Sequence, residues 1–397
     1  MTLFPDRFLF GCATSATQIE GGCLNIDWWQ FAREAGRVEN GDVPDVACDH
    51  WNRVAEDTEL LVRLGVGAHR LSVEWGRIQP EPERFDERAL EHYRAELSRL
   101  VEAGIEPMLT LHHFALPNWL AARGGLLAAE FPERFTVFAK RVARALGDRV
   151  KLWLTINEPN VLIAQGYLLG VWPPGLRDPG RALQAAWNLR RAHVAAYRAI
   201  HELVPSATVG IAHHLRIATP ASRSLLDRAA ARALDLTFNS PFLDLPQDFL
   251  GINYYSRDIV RFDRSKPNEL FADRSVPAGA PLSDLGWEIY PEGLGMVLRR
   301  LARRHKPIWI TENGIADAAD DRRTAFIAAH LAQVARASAA GVDIRGYLYW
   351  SLLDNFEWAE GYAPRFGLYA VDYVTQARTL RASGEAYARI AKSHRLE

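Results

Sequence analysis

Short apolar runs rich in β-branched residues alternate along this 397-residue chain with longer stretches of amphipathic spacing. Such runs are typical of buried strands. The pattern predicts eight of them, at residues 8–13, 68–75, 107–112, 151–156, 208–213, 248–254, 307–311 and 344–350. Helices are predicted between them. One covers 86–103 with Gly104 as its C-terminal stop, and Pro132 opens another that ends before Gly147.

Eight strands that alternate with helices indicate parallel βα units closed into a single-domain (β/α)8 barrel, a TIM barrel, over residues 1–397. A doubly wound open sheet is the alternative. That fold is expected to carry a glycine-rich phosphate loop after its first strand, and Gly21-Gly22 does not supply the pattern. The barrel is therefore the predicted fold class.

The active site of such a barrel lies at the carboxyl ends of its strands. Polar and aromatic residues follow the predicted strands there: Gln18, Glu20, Trp75, His112, His113, Asn157, Glu158, His213, His214, Tyr254, Tyr255, Glu312, Asn313 and Trp350. Glu158 and Glu312 follow strands four and seven, on opposite parts of the rim. Two carboxyl groups that face one another across a sugar are what glycosidic-bond hydrolysis requires.

Composition narrows the possible partners. A formal net charge of −1, without a block of Lys or Arg, makes nucleic acid or an anionic membrane an unexpected partner. Three Cys without metal-ligand spacing imply no disulfide framework. The His112-His113 and His213-His214 pairs do not suit a metal, because adjacent strand residues point to opposite faces. We expect no metal and no cofactor. Without an apolar signal core or membrane-spanning run, a cytoplasmic enzyme is expected.

Beyond these patterns, the chain resembles family 1 of the glycoside hydrolases, the β-glucosidase and β-galactosidase family. The resemblance runs nearly end to end, and its strings occur in the family's order. They are residues 10–21 (FGCATSATQIEG), 69–75 (HRLSVEW), 111–114 (LHHF), 155–159 (TINEP), 251–255 (GINYY), 286–294 (GWEIYPEGL), 310–314 (ITENG), 350–358 (WSLLDNFEW) and 365–369 (RFGLY).

The resemblance implies a retaining β-glycosidase that acts by double displacement on β-D-glucosides, and also on β-D-galactosides or β-D-fucosides. Glu158 matches the family's acid/base and Glu312 its nucleophile. Arg70 and Tyr255 match the positions that keep the nucleophile ionised, and repulsion from Glu312 is expected to raise the pKa of Glu158. In a retaining enzyme the two carboxyl groups lie roughly 5–5.5 Å apart.

The resemblance also implies which residues contact the sugar. Asn157 would bond the 2-hydroxyl, and Trp350 would form the platform under the ring. Four residues match the positions that bind the 3-, 4- and 6-hydroxyls: Gln18, His112, Glu357 and Trp358. The 6-phospho-glycosidases of the family carry a small hydroxyl residue at the Glu357 position. A carboxylate there would repel a phosphate, so neutral sugars are favoured.

Small β-glucosides or oligosaccharides are thus the expected partners, with oligomeric state left open. A transglycosylase would use the same residues, with an acceptor sugar in place of water. A non-catalytic sugar-binding barrel would be expected to have lost one glutamate. A metal-dependent hydrolase would be expected to carry His-x-His at a strand end, which is absent. The chain also departs from the family at 236–247, where a longer segment is usual.

Overall fold

Eight parallel strands close into a barrel in the computed structural model, which describes residues 2–396. They are β1 (Leu9–Ala13), β2 (Ala68–Ser72), β3 (Glu106–His112), β4 (Leu152–Asn157), β5 (Thr208–His214), β6 (Phe249–Asn253), β7 (Ile308–Asn313) and β8 (Ile344–Trp350). Each strand pairs with its neighbours in chain order, and β8 closes the barrel against β1, with Gly346 opposite Leu9 and Trp350 opposite Ala13.

A long helix follows each strand. These are α1 (His50–Leu64), α2 (Glu87–Glu102), α3 (Phe131–Leu146), α4 (Pro179–Leu203), α5 (Leu225–Leu234), α6 (Pro291–Ala302), α7 (Arg323–Ala339) and α8 (Ala382–Ser393). Helix α2 illustrates how the sequence sets their ends. The Asp86 carboxylate accepts hydrogen bonds from the Arg88 and Ala89 amides at 2.9 and 3.3 Å, which satisfies donors that the helix itself leaves unpaired.

The core has two layers. Every strand contributes to a cluster at the centre of the barrel, through Ala13, Ala68, Met108, Leu154, Ala212, Phe249, Trp309 and Leu348. Small residues face large ones there. A Cβ at Gly346 would lie 2.4 Å from the Trp309 ring, so that position requires glycine. The second and larger layer packs the outer faces of the strands against the helices.

Shorter helices and small sheets lie outside the eight-stranded barrel. The short helices are Ala16–Ile19, Asp27–Phe31, Glu39–Gly41, Trp75–Ile78, Asn118–Ala121, Gly125–Leu127, Pro159–Ile163, Ala164–Leu169, Asp235–Asn239, Pro267–Glu269 and Trp358–Glu360. The small sheets pair Thr2–Leu3 with Arg395–Leu396, Ile217–Pro220 and Ala272–Ser275 with Arg257–Phe262, and Tyr369–Val371 with Arg378–Leu380. Across residues 2–396, no helix combines the length and apolar character that crossing a membrane requires.

The predicted (β/α)8 barrel is confirmed. Seven predicted strands agree with the structure to within two residues at each end. The second was predicted to run to Trp75, but β2 ends at Ser72 because Trp75 begins the short helix Trp75–Ile78. The predicted helices at 86–103 and from Pro132 correspond to α2 and α3.

Candidate active site

Glu158 and Glu312 share one cavity of about 1120 Å³ at the carboxyl ends of the strands. Glu312 belongs to β7, and Glu158 follows β4 directly. The backbone of Glu158 has a φ of +41°, a left-handed conformation that residues other than glycine rarely adopt. Pro159 then opens the helix Pro159–Ile163. The strand therefore ends in a sharp turn, and the carboxyl group is presented to the cavity rather than to the core.

Each oxygen of the Glu312 carboxylate accepts a hydrogen bond. Arg70 Nη1 donates to Oε1 at 2.5 Å, and the Tyr255 hydroxyl donates to Oε2 at 2.7 Å. Arg70 is completely buried, and its Nη2 also donates to Asn157 Oδ1 at 2.6 Å. The structure thus brings Arg70, Asn157 and Tyr255 together around Glu312, as the sequence predicts for the first and last.

Neighbouring side chains hold Glu158 through one of its carboxylate oxygens, Oε1. His214 Nδ1 lies 2.9 Å from Oε1, and Asn253 Nδ2 donates to the same oxygen at 2.8 Å. Asn253 also contacts Asn157 Oδ1 at 3.1 Å and accepts a hydrogen bond from the Thr311 hydroxyl at 2.6 Å. These contacts place both glutamates on one polar network. They leave Oε2 of Glu158 as the oxygen without those donors, facing the cavity.

The pKa values of the pair differ from the sequence-based expectation. Burial and repulsion from Glu158 raise the pKa of Glu312 to about 7, although Arg70 and Tyr255 oppose them. The pKa of Glu158 is lowered. Burial alone would raise it, but the imidazole of His214, the amide of Asn253 and the charge of Arg70 together outweigh burial. The direction for Glu158 is the opposite of the one predicted from the sequence, and the contact with His214 is the main cause of the lowered pKa.

The predicted sugar-binding side chains gather beside the pair. Four of them line the cavity: Gln18, Trp350, Glu357 and Trp358. Gln18 Nε2 donates to Asn355 Oδ1 at 2.9 Å and lies 3.3 Å from Glu357 Oε2, so the amide and the carboxyl group are fixed against each other. Burial, with repulsion from Glu360 and Glu312, raises the pKa of Glu357 well above its usual range.

The two histidines after β3 face different ways. His112 packs edge-on against Phe135 of α3, with ring centroids 6.3 Å apart, and is not among the cavity-lining residues. His113 lines the cavity, and its ring lies nearly parallel to those of Trp350 and Trp358 at 6.1 and 6.0 Å. The family resemblance assigned His112 to the sugar site. Adjacent residues of a strand point to opposite faces, and at this strand end it is His113, not His112, that lines the cavity.

Sequence reasoning also missed His214 and Asn253. Asn253 lies within the GINYY string. His214 was noted at a strand end, rejected as a metal ligand and given no other role. The signal for both was their position at the carboxyl ends of β5 and β6. Among the described residues, no group of three or more His, Cys, Asp or Glu side chains is arranged to hold a metal ion.

Comparisons with known proteins agree with this geometry. The sequence profile described as "Glycosyl hydrolase family 1" matches residues 1–245 and 239–396. Beta-glucosidase A of Thermotoga maritima is 38% identical, over 99% of each chain. The structure of a beta-glucosidase from Thermotoga maritima in complex with glucoimidazole superimposes with a TM-score of 0.95 at 37% identity, covering 100% of both chains. A beta-glycosidase from Pyrococcus horikoshii superimposes with a TM-score of 0.94 at 40% identity, covering 100% of this chain and 97% of that one.

Proposed function

This chain belongs to glycosyl hydrolase family 1 and is a β-glucosidase-type glycoside hydrolase, and from that premise we propose that Glu312 is its nucleophile and Glu158 its acid/base. The observation that carries the proposal is the unequal support of two glutamates that share one cavity. Glu312 contacts the cation of Arg70, and Glu158 keeps one oxygen directed at the cavity. Nucleophile and proton donor need these two different surroundings.

In the first step, an oxygen of Glu312 attacks the anomeric carbon while Glu158 protonates the departing oxygen. Two donors already occupy Oε1 of Glu158, so the transferred proton comes from Oε2. The reaction needs Glu312 ionised and Glu158 protonated. The glycosidic oxygen then accepts a hydrogen bond from protonated Oε2, and ionised Glu312 stabilises the positive charge that develops on the sugar in the transition state.

In the second step, Glu158 takes a proton from water, which attacks the glycosyl-enzyme. The ester bond has removed the charge of Glu312, so repulsion between the two groups is gone. His214 and Asn253 donate to Oε1 and stabilise the ionised base. We therefore assign His214 and Asn253 as positioning residues for the acid/base.

For the sugar itself, the proposal assigns Gln18, Asn157, His113, Glu357 and Trp358 to the hydroxyl groups and Trp350 to the face of the ring. A carboxyl group and an amide can each contact two hydroxyls, which suits a polyol. The proposal gives His113 the role that the family resemblance assigned to His112, because His113 lines the cavity. The substrates are small neutral β-D-glucosides, together with β-D-galactosides or β-D-fucosides.

Proton NMR of the first-formed sugar tests the mechanism. A retaining enzyme releases the β anomer of glucose from a β-glucoside, before mutarotation mixes the anomers. Release of the α anomer would contradict double displacement. A crystal structure that places the two carboxyl groups near 9 Å, rather than at roughly 5–5.5 Å, would also contradict it.

The proposal includes a cytoplasmic location. Its support is the state of the three cysteines: Cys12, Cys23 and Cys48 are all buried and unpaired, as thiols are in a reducing compartment. Cell fractionation with antibody detection tests this location, and recovery of the enzyme outside the cell would contradict it.

A further inference from the structure

Two Asn-Gly pairs occur in the sequence, Asn40-Gly41 and Asn313-Gly314. This dipeptide is chemically reactive, because glycine has no Cβ to shield its backbone nitrogen from the neighbouring side-chain amide. The first pair lies in an exposed loop at the edge of the cavity, whereas Asn313 of the second belongs to a barrel strand. The surroundings therefore decide which of the two asparagines can react.

Asn313 is the protected member of the two. It ends β7, is completely buried, and both ends of its side-chain amide are hydrogen-bonded. Its Nδ2 donates to the Tyr254 carbonyl oxygen at 2.6 Å, and its Oδ1 accepts from the Tyr347 hydroxyl at 2.7 Å. A Cβ added to Gly314 would overlap the Trp350 carbonyl oxygen, so the backbone after Asn313 is tightly packed. A reaction at this pair would require the barrel wall to open.

Asn40 has the opposite surroundings. It lies in the short helix Glu39–Gly41, whose three residues are all exposed, and its backbone is left-handed, with φ +57° and ψ 6°. A Cβ added to Gly41 would meet no atom within 4 Å, so no neighbouring group crowds this residue. The Gly41 amide donates to the Val38 carbonyl oxygen at 3.1 Å, and an attack on the Asn40 side chain has to break that bond. Exposed backbone hydrogen bonds of surface loops open at low cost.

We propose that Asn40-Gly41 is a site of spontaneous deamidation and isomerisation. The Gly41 nitrogen loses its proton and bonds to Cγ of Asn40, the Cγ–Nδ2 bond breaks, and ammonia leaves with that proton. Water, the only co-reactant, then opens the resulting succinimide. Cleavage of the bond between the Gly41 nitrogen and Cγ gives aspartate at position 40. Cleavage of the bond to the main-chain carbonyl carbon gives isoaspartate, in which the chain runs through the former side chain and gains one methylene.

The loop that contains this site supports the proposed sugar site. The Asp42 carboxylate accepts a hydrogen bond from the Tyr362 amide at 2.8 Å, and a Cβ added to Gly361 would overlap that carboxylate. The Gly361 carbonyl oxygen accepts a hydrogen bond from the Glu357 amide at 2.7 Å. The Asp42 amide donates to the Glu39 carbonyl oxygen at 3.1 Å, across the reactive position. Contacts that begin at this loop therefore hold the turn that follows Glu357.

Isoaspartate at position 40 lengthens the main chain immediately before Asp42. The added methylene displaces the Asp42 carboxylate from the Tyr362 amide, whereas an ordinary aspartate adds only a charge. The isoaspartate form should therefore bind the sugar more weakly. Its KM for 4-nitrophenyl β-glucoside should rise by about tenfold, the usual scale of one lost hydrogen bond to a charged group. This consequence rests on the function proposed above, and the chemical reaction itself does not.

Peptide mapping of the aged enzyme tests the reaction. The purified full-length chain is stored at mildly alkaline pH and digested with trypsin, which places Asn40 and Asn313 in separate peptides, 38–53 and 305–322. Mass spectrometry should show Asn40 converted to the acid roughly 10²-fold faster than Asn313, because only Asn313 requires the core to open. Reversed-phase chromatography should resolve the aspartate and isoaspartate peptides. Equal conversion at both sites would overturn the proposal. So would an intact Asn40 under conditions in which a synthetic peptide of residues 38–43 reacts.

The separated product and two variants test the effect on the sugar site. Ion exchange isolates the aged form, since each conversion adds a negative charge, and its isoaspartate fraction should show the raised KM with little change in kcat. Asn40→Asp carries the charge without the added methylene, so the freshly purified variant should keep the parental KM. Asn40→Gln would need a slower six-membered ring, so its KM should not change on storage. A parental KM in the isoaspartate fraction, or an equal rise in Asn40→Asp, would overturn the link to the sugar site.

The reaction and the proposed function can fail separately. Peptide mapping needs no enzymatic activity, so it decides whether Asn40 reacts even if the parent cleaves no β-glucoside. In that case the proposed function has failed, and the conversion of Asn40 relative to Asn313 still confirms or refutes the modification site.

Discussion

Two groups of buried carboxylates in this barrel differ in how their charge is balanced. The first group, here the active-site pair, consists of the proposed acid/base Glu158 and the proposed nucleophile Glu312. The second group, here the α1–α2 cluster, joins Asp57 and Glu96 through His50, whose nitrogens lie 2.7 and 3.0 Å from the two carboxylates. Arg378 adds a further cation at 2.9 Å from Asp57. All four carboxyl groups are buried.

The pKa values in the two groups follow from how the charges are balanced. Burial lowers the pKa of His50, but the two carboxylates more than compensate and raise it to about 10. Asp57 has a lowered pKa because His50 and Arg378 outweigh the effect of burial. In the α1–α2 cluster, two cations therefore face two anions. In the active-site pair, the two glutamates compete for one proton and face a cavity. Removing a partner from a matched buried carboxylate destabilises the fold, whereas an incompletely matched carboxylate with a shifted pKa in a cavity is a candidate for catalysis.

The largest effect should come from replacement of the proposed nucleophile, Glu312. Glu312→Ala should lower kcat/KM for 4-nitrophenyl β-glucoside by about 10⁴-fold or more, because no other group can form the glycosyl-enzyme. Added azide should restore turnover with an α-configured product, since the space left by the side chain admits the anion. Glu83→Ala, at an 83% exposed glutamate, is the matched control and should retain parental activity. Near-parental activity of Glu312→Ala would show that Glu312 is not the nucleophile. The contrast between a catalytic pair and the structural α1–α2 cluster would then not hold.

Replacement of the acid/base should depend on the departing group. Glu158→Gln should lower the rate of glycosyl-enzyme formation from alkyl β-glucosides by ~10²–10⁴-fold, the usual scale of general acid catalysis. Dinitrophenyl β-glucoside needs little protonation, so pre-steady-state release of its phenol should stay close to parental. Equal losses on both substrates would indicate that Glu158 binds or folds rather than protonates.

A substitution in the α1–α2 cluster should change the stability of the protein rather than its activity. His50→Leu leaves Asp57 and Glu96 buried without their shared cation, which should cost about 3–5 kcal/mol in the free energy of unfolding. Urea denaturation measures the loss, and the kcat/KM of the folded variant should match the parent. An unchanged midpoint would mean that the charges of this cluster are not what holds α1 to α2.

The same cluster predicts a pH dependence of the parent. Folding raises the pKa of His50 from its ordinary 6.5 to about 10, so the folded state binds the proton more tightly. Its contribution to stability is therefore fully present below pH 6.5 and is lost as the pH rises to about 10. Unfolding curves between pH 6 and 10 should show the decline in the parent and a shallower one in His50→Leu. Parallel curves would contradict the assigned charge.

The smallest effect should follow removal of the imidazole beside Glu158. His214→Phe deletes a hydrogen bond to the ionised base, so deglycosylation should slow by about tenfold. Its absence raises the pKa of Glu158, and the basic limb of kcat/KM for an alkyl glucoside should move to higher pH. His214→Asn keeps an N–H donor and should recover part of both changes. A lower rate with an unmoved limb would assign His214 to packing only.

The sequence predicted the barrel because short apolar runs rich in β-branched residues are typical of strands buried on both faces, and these runs alternate with amphipathic helices. It did not predict the sheet that joins Ile217–Pro220, Arg257–Phe262 and Ala272–Ser275, since this pairing depends on partners distant along the chain. In the candidate site, motif strings singled out the two glutamates that share the cavity. They could not show which histidine after β3 faces the cavity, nor that His214 contacts Glu158 and lowers its pKa. Both depend on side-chain direction at a strand end, which a one-dimensional pattern does not contain.

The contacts of Asn253 bear on how the two strand ends are held relative to each other. Asn253 joins Asn157 of β4 to Thr311 of β7, so the strands that precede Glu158 and carry Glu312 are cross-linked within the barrel wall. Phe238, in contrast, lies in a cavity-lining segment that is held by Asn160 and Asn239. A change in the segment 236–247 can therefore alter the cavity wall without breaking the bridge between β4 and β7.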